Sequence, residues 1–450
     1  MANGPLPSYL AMAKPNPTEN RAPWFLNTAP AYFGIFMWIA FYDKLGKALP
    51  LGGLDAALGG LAIAAVVSYF MFYYVFGLLG MRTGLPLYVV GSSTFGTKGG
   101  YLFPGVFMGI LQIGWYSVGT FYATKLMLGA FGYGSDQIGV LFVVVAIAWG
   151  YIFALFGAFG IKYVAMISSY LPWVAVAMLG IAGVCALPHV VDFKFTPPAE
   201  GPGALAGACL VIQMVIGFFA TAGAAGVDFR TGSRDANDIK MGGLTGITLS
   251  IIVAGGLGII IVAGALGIDP SIIKKPVVFA SLPVVSPGVA KVMLLLLAIG
   301  SMAPACFCSS IIGNSLSTMM PSMDRVKLTM AGATIGIVLA ATGVAGKLEI
   351  FFGLIGASFG PICGAIVADY LLSGRKWAGP REGVSIAGYV AWIAGFLAGI
   401  CNNPALGNHA VLPDWHPTGV YSFIVGFVVY AILAKAGLQG KTVELPAAAK

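Results

Sequence analysis

The sequence predicts an all-α integral membrane protein, and three observations carry the prediction. Hydrophobic residues make up 58% of the 450 positions and charged residues only 9%, where soluble domains carry about 25% charged residues. Mean hydropathy is +0.91, and that much apolar surface needs lipid rather than water as its solvent. The apolar residues also fall into separate runs, each close to the ~20 residues that a helix needs to cross the hydrocarbon core.

Taken in order, the runs occupy 28–48, 54–80, 101–130, 138–160, 163–187, 204–227, 243–267, 288–313, 327–346, 348–372, 384–402 and 417–437. That makes about 12 transmembrane helices at the length one crossing demands. The stretch 84–97 is too short and too polar to span and reads as an interfacial or connecting piece. Residues 1–27 carry five prolines (Pro5, Pro7, Pro15, Pro17 and Pro23) and no long apolar core, which reads as a cytoplasmic tail rather than a cleaved signal peptide. A second tail follows at 438–450. Glycine is abundant, 64 residues, as expected where membrane helices approach closely or break.

Orientation follows from the basic residues. With the N-terminus in the cytoplasm, sixteen of the 24 Lys and Arg residues fall inside, among them Arg82, Lys98, Arg230, Arg234, Lys240, Arg325, Arg375 and Arg381. The rest, including Lys44, Lys47, Lys194, Lys274 and Lys275, fall outside or at outer helix ends. The positive-inside rule therefore favours an even number of spans with both termini cytoplasmic, in the inner (cytoplasmic) membrane of the cell.

Several function classes are disfavoured by the same reading. The net charge of +8 is spread over short loops, so no basic patch offers itself to nucleic acid. The six cysteines lie within or at the ends of apolar runs and read as buried free thiols, with no metal spacing. His189, His409 and His416 all fall in predicted outer loops, and no phosphate-binding loop occurs, so an enzyme is not expected. Neither a cofactor nor an obligate protein partner is indicated; the partners expected are the bilayer and a small molecule.

Transport asks instead for polar groups and broken backbone near the midplane. The run 217–226 holds Gly217, Gly223 and Gly226 with Thr221, which weakens a helix and frees carbonyls and amides, though close packing of small residues explains such runs equally well. Gln112 and Trp115 are three apart and share a helix face. An amide beside an indole can bind the edge of a planar ring while the indole stacks on its face; the alternative is a packed Trp and a Gln bonded to a neighbouring helix. The stretch 299–317 is unusually polar, with Ser301, Pro304, Ser309, Ser310, Asn314, Ser315 and Ser317. Its hydroxyls can coordinate a cation or bond to carbonyls four residues back. Acidic residues at depth are rare: Asp43 beside Lys44 reads as an interfacial pair, and Asp228 and Asp369 read as inner-face network residues.

Over these residues the chain resembles the nucleobase–cation symport-1 family. The resemblance rests on Arg82-Thr83-Gly84-Leu85, Ser93-Thr94-Phe95-Gly96 with Lys98-Gly99, and Gln112-Ile113-Gly114-Trp115-Tyr116. It continues through Thr221-Ala222-Gly223, Val227-Asp228-Phe229, Gly360-Pro361-Ile362-Cys363-Gly364 and Ala368-Asp369-Tyr370-Leu371. It implies two five-helix repeats of inverted topology, 28–187 and 204–372, with the first and sixth helices broken, and two extra helices over 384–437. It further implies a cation-coupled symporter that imports a nucleobase-like or other nitrogen heterocycle, with Gln112, Trp115, Phe218, Phe219, Thr221 and Ser301 as substrate contacts. Trp115 and Phe219 are then expected to sandwich the ring. A same-fold carrier of a non-nucleobase solute is the alternative, ahead of a channel. The implied cation site draws on Ala31, Gly34, Ala303, Ser309 and Ser310. One departure stands out: the asparagines and paired threonines of the family's base-binding members are replaced here by Gly300-Ser301-Met302-Ala303-Pro304-Ala305-Cys306. Sodium and a proton both remain open as the coupling cation.

Overall fold

The structure, a computed structural model, describes residues 6–29, 32, 44–133, 138–159, 161–197, 203–274, 283–401 and 417–445, with the backbone alone at 161–172, 348 and 349. The described residues are helical and contain no strand beyond two isolated bridges, Ala22 with Ser233 and Arg381 with Thr442. Eleven long helices are seen among them: α1 Gly46–Thr83, α2 Tyr101–Ala130, α3 Val140–Phe159, α4 Ile161–Val190, α5 Ala204–Ala224, α6 Ala236–Ile268, α7 Pro287–Met319, α8 Arg325–Ala341, α9 Leu348–Leu372, α10 Ile386–Ile400 and α11 Thr418–Lys435. Nine of the described helices contain a stretch long and apolar enough to cross a bilayer. The eleven fall on eleven of the predicted runs. Most of the first run, 28–48, lies outside the described residues, and with it the expected break there and the candidate cation residues Ala31 and Gly34.

Several helices are interrupted where the sequence is weak. Gly53 in α1 has φ 76° and ψ −178°, a conformation open to glycine and strained for other residues, and it separates Leu49–Gly52 from the long continuation. Tight approach is the other use of glycine: a Cβ on Gly207 of α5 would stand 2.7 Å from the Cα of Gly52, so these backbones meet as only small residues allow. After α5 the chain turns at Ala225 and resumes as the short helix Gly226–Arg230. α7 turns at Ser301, between Pro287–Gly300 and Met302–Met319. The connecting piece predicted at 84–97 is two one-turn helices, Leu87–Val90 and Ser92–Phe95.

Packing places α2 and α9 inside and α4 and α11 outside. The apolar windows of α9 and α2 are 78% and 72% buried, those of α4 and α11 only 28% and 33%, so the last two turn their apolar side chains toward lipid. α9 packs against α5, α10 and α11, while α7 packs against α2, α3 and α8. α1 lies along α5.

One end of the bundle is held by caps and a buried ion pair. Asp235 accepts the Asp238 N–H at the start of α6, and Asp324 accepts the Lys327 N–H at the start of α8, satisfying amides that a helix start leaves unpaired. Asp369, at the end of α9, takes Arg381 Nη1 at 2.7 Å and the hydroxyls of Ser93, Thr94 and Tyr430 at 2.6, 3.2 and 3.0 Å. Arg381 also donates to the Ser93 carbonyl. This is the network expected of Asp369.

The N-terminal segment crosses the same end. Tyr9 Oη donates to the Thr97 carbonyl at 2.7 Å, the Asn16 N–H to that of Gly84 at 2.9 Å, and the Ala22 N–H to that of Gly232 at 2.9 Å. The Trp24 N–H donates to Asp238 Oδ1 at 3.1 Å. Residues expected only as a tail thus tie the 84–97 piece to the loop between α5 and α6.

Candidate functional site

Three helices enclose a cavity of about 50 Å³, enough for a few waters at the ~10–15 Å³ each requires. Helical periodicity explains which side chains reach it. α2 contributes Gln112, Trp115 and Gly119, spaced i, i+3, i+7; α5 contributes Phe218, Thr221, Ala222 and, at its end, Ala225, spaced i, i+3, i+4, i+7. Each set is one face of a helix. α7 closes the cavity with Pro304, Ala305, Phe307 and Cys308, just past the turn at Ser301.

Polar and apolar groups are divided between the walls. Trp115 Nε1–H donates to Thr221 Oγ1 at 3.1 Å, joining α2 to α5 across the site. Gln112 is buried and its Nε2 lies 3.6 Å from Met108 Sδ, a weak acceptor, so its amide keeps hydrogen-bonding capacity for another molecule. Phe218 meets Trp115 edge-on at 5.0 Å, and Phe351 and Phe352 of α9 back the indole at 5.1 and 5.4 Å. The α7 wall offers carbon and the Cys308 thiol.

The remaining expected site residues are placed elsewhere. Phe219, expected to face Trp115 across a ring, does not line the cavity; it is fully buried with its ring 5.9 Å from that of Tyr32. At about 100° per residue Phe219 stands about 160–200° round the helix from Thr221, whereas Phe218, three residues before Thr221, lies on its face. Ser301 is buried at the α7 turn and bonds to the Leu297 carbonyl at 3.2 Å, behind the lining. Ala303 is buried and also outside the lining. Ser309 points at α3, donating to the Phe153 and Cys306 carbonyls at 3.3 and 3.0 Å. Ser310 Oγ accepts from Arg325 Nη2 at 3.0 Å, and a guanidinium there opposes a second cation.

Sequence reasoning did not name Pro304, Ala305, Phe307 and Cys308 as site residues. Their signal was the spacing 304, 305, 307, 308 (i, i+1, i+3, i+4), one helix face just past a break. Apolar residues on such a face are indistinguishable from ordinary packing until a cavity is seen beside them.

A larger vestibule of about 530 Å³ opens below the site on the side of the N-terminal segment. It runs between Tyr9 and Lys14, the Leu87–Tyr88 turn and the Ser310–Thr318 stretch of α7, and shares Ala225 and Phe307 with the smaller cavity. At this neck Phe307 stacks on Phe229 at 4.9 Å. Asp228 faces the vestibule, where Oδ1 accepts the Leu87 N–H at 3.1 Å. The protein around it pushes the carboxyl up to about 6, while that amide pulls the other way. The carboxyl is open to the vestibule, so its setting is a ring of protein rather than full enclosure.

Comparison with known proteins agrees with this architecture. No family profile matches the chain. Cytosine permease of Escherichia coli (strain K12) is 24% identical over 369 residues, 78% of each chain, and cytosine permease of Escherichia coli O157:H7 matches to the same extent. Among solved structures, Mhp1, a nucleobase-cation-symport-1 family transporter in a closed conformation with bromovinylhydantoin bound, superposes with a TM-score of 0.68 at 16% identity over 95% of both chains. The inward-facing conformation of Mhp1 gives 0.69 at 17% identity, over 95% of this chain and 92% of that one. A Na+-coupled sialic acid symporter gives 0.63 at 14%, over the same shares. With the quoted motifs running from α1 to α9 and the shared helical architecture, the chain is similar to the nucleobase–cation symport-1 family, and it is a multi-pass membrane transporter rather than an enzyme.

Proposed function

We propose that this protein is a cation-coupled symporter importing a small, largely uncharged nitrogen heterocycle by alternating access. The observation that carries the reading is the cavity where α5 ends and α7 turns, with Trp115, Gln112 and Thr221 converging on it from two helices. The indole offers a stacking face, the amide both donor and acceptor, and the hydroxyl a second acceptor. Such a site at helix interruptions is how carriers bind solute between two rocking groups of helices. Two inverted repeats, 28–187 and 204–372, supply those groups in this reading, and the helices of 384–437 lie outside them. The vestibule faces the cytoplasm, together with both termini, in the inner membrane; the excess of Lys and Arg in the loops on that side supports this.

The α7 wall favours a second reading within the same fold. Pro304, Ala305, Phe307 and Cys308 cannot satisfy a solute that is polar on every edge, and an unpaired polar edge costs about 1–3 kcal/mol. A non-nucleobase solute with one apolar side fits that wall better than cytosine does. A thermal-shift screen of purified protein against nucleobases, hydantoins and other small heterocycles, in sodium and in choline buffer, separates the readings, since a bound ligand stabilises the folded state. We expect shifts for compounds with one amide-bearing edge and one apolar edge, nearly equal in the two buffers. Stabilisation by cytosine alone, only in sodium, would contradict both the solute class and the weak sodium dependence.

A further inference from the structure

Among the described residues, the vestibule and the cavity above it present a single carboxylate, that of Asp228. We propose that Asp228 is the proton-binding site of the transport cycle, so that the coupling cation is a proton taken up and released at this side chain. This rests on the reading of the chain as a cation-coupled carrier.

Position carries the argument. Asp228 lies on the short helix Gly226–Arg230, directly after the turn at Ala225, and Ala225 lines both the cavity and the vestibule. That helix is clamped to α1, where a Cβ on Gly80 would fall 2.1 Å from the Val227 carbonyl oxygen. The Leu87 N–H ties the carboxylate to the connecting piece as well. A change of charge at Asp228 is therefore applied where α1, the connecting piece and the broken end of α5 meet.

Among the described residues no cation forms an ion pair with it. The charged side chain of the α1 end packed against it, Arg82, donates to Tyr370 Oη and the Arg375 carbonyl. Lys14 and Tyr9 line the vestibule with it, Tyr88 approaches from the connecting piece and Tyr74 lies on α1. The facing α7 wall lines the vestibule with no titratable group. Arg230, two residues on, is fully buried, has no hydrogen-bond partner among the described residues, and lies over the ring of Tyr32 at 5.5 Å. It does not form an ion pair with Asp228.

The linkage follows from desolvation. In the open vestibule some water still reaches the carboxylate, and desolvation by the protein around it already pushes the group up to about 6. Closing the vestibule strips that water, and an unpaired carboxylate then costs several kcal/mol, so the closed form holds the proton more tightly. Uptake of a proton favours closure, and opening toward the tail side favours its release. The step is one O–H bond formed on a carboxylate oxygen with a proton from water, and the same bond broken on release.

The test reads the vestibule directly. Ser317 lines it, and its hydroxyl bonds only within its own helix. Labelling of S317C by an impermeant maleimide is measured against pH in sodium chloride and in choline chloride, and each rate is divided by that of S317C/D228N to cancel thiol ionisation. The ratio is expected to be constant below about pH 6 and to rise above it by up to about tenfold per pH unit, the limit for one linked proton. Sodium should leave it unchanged. S317C/D228E should keep the rise, which separates titration from misfolding. A flat ratio, or a sodium effect with no pH effect, overturns the proposal. If heterocycles from the screen alter labelling while the ratio stays flat, the carrier reading stands and this inference falls. If nothing alters labelling, both fall.

Discussion

The contact between Trp115 and Thr221 is the point at which the site is most exposed to refutation. Trp115 is buried among Phe218, Phe351 and Phe352 at 5.0–5.4 Å, and its only polar atom donates to Thr221 Oγ1 at 3.1 Å. Replacing Thr221 by the isosteric valine leaves that N–H buried without its acceptor, which costs about 1–3 kcal/mol. Replacing Trp115 by phenylalanine keeps an aromatic ring but removes the donor and part of the packing. In W115F/T221V neither polar partner remains, so the double variant should lose less than the sum of the singles, by about 1 kcal/mol of coupling. For solute binding, W115A removes a stacking face worth about 1–3 kcal/mol, or roughly 5- to 150-fold in affinity. Because Trp→Ala in a core costs about 3–5 kcal/mol of stability, W115F serves as the folded reference. Thermal unfolding of the four proteins in detergent gives the cycle, and titration calorimetry with the most stabilising heterocycle of the screen gives affinity. Additivity within about 0.3–0.5 kcal/mol would remove the hydrogen bond from the argument. Unchanged affinity in W115A would remove Trp115 from the site.

Two further outcomes test the frame around the site. In N237C, an exposed position in the first turn of α6, the thiol should react with impermeant reagents from the cytoplasmic side alone; labelling of intact cells from outside would invert the topology. D369N leaves Arg381 buried without its charge partner while keeping the shape of the side chain, and breaking such a pair costs about 3–5 kcal/mol. A marked fall in unfolding temperature is expected, and one within a degree or two of the parent protein would show that Ser93, Thr94 and Tyr430 hold this end of the bundle without it.

The amino-acid sequence by itself determined where helices lie, because lipid as solvent leaves a chain few alternatives. Backbone groups in hydrocarbon must be satisfied within the segment, so long apolar runs become helices wherever they occur. The bounds of α2 and α9 coincide with the runs 101–130 and 348–372. The face carrying Gln112 and Trp115 was equally legible, since i, i+3 spacing needs no knowledge of neighbours. The break near the end of α5 was foreshadowed by its glycines, and the turn at Ser301 by the polar stretch that follows it.

Tertiary structure decided what those faces meet. Whether Phe218 or Phe219 joins Trp115 depends on how α5 is rotated against α2, which is set by contacts 106 residues apart such as Trp115 with Thr221. The serines of α7 are chemically alike in sequence, yet Ser309 is claimed by α3 and Ser310 by Arg325. The two aspartates read alike as network residues also part company: Asp369 is ringed by side-chain partners, and Asp228 is left facing the vestibule with backbone amides as its partners. The N-terminal segment carries no periodicity that announces its contacts with Thr97, Gly84 and Gly232. Hydropathy reports the solvent of each residue, and that is a local quantity. The partner of each residue is fixed by long-range packing, whose energy is shared among helices far apart in the chain.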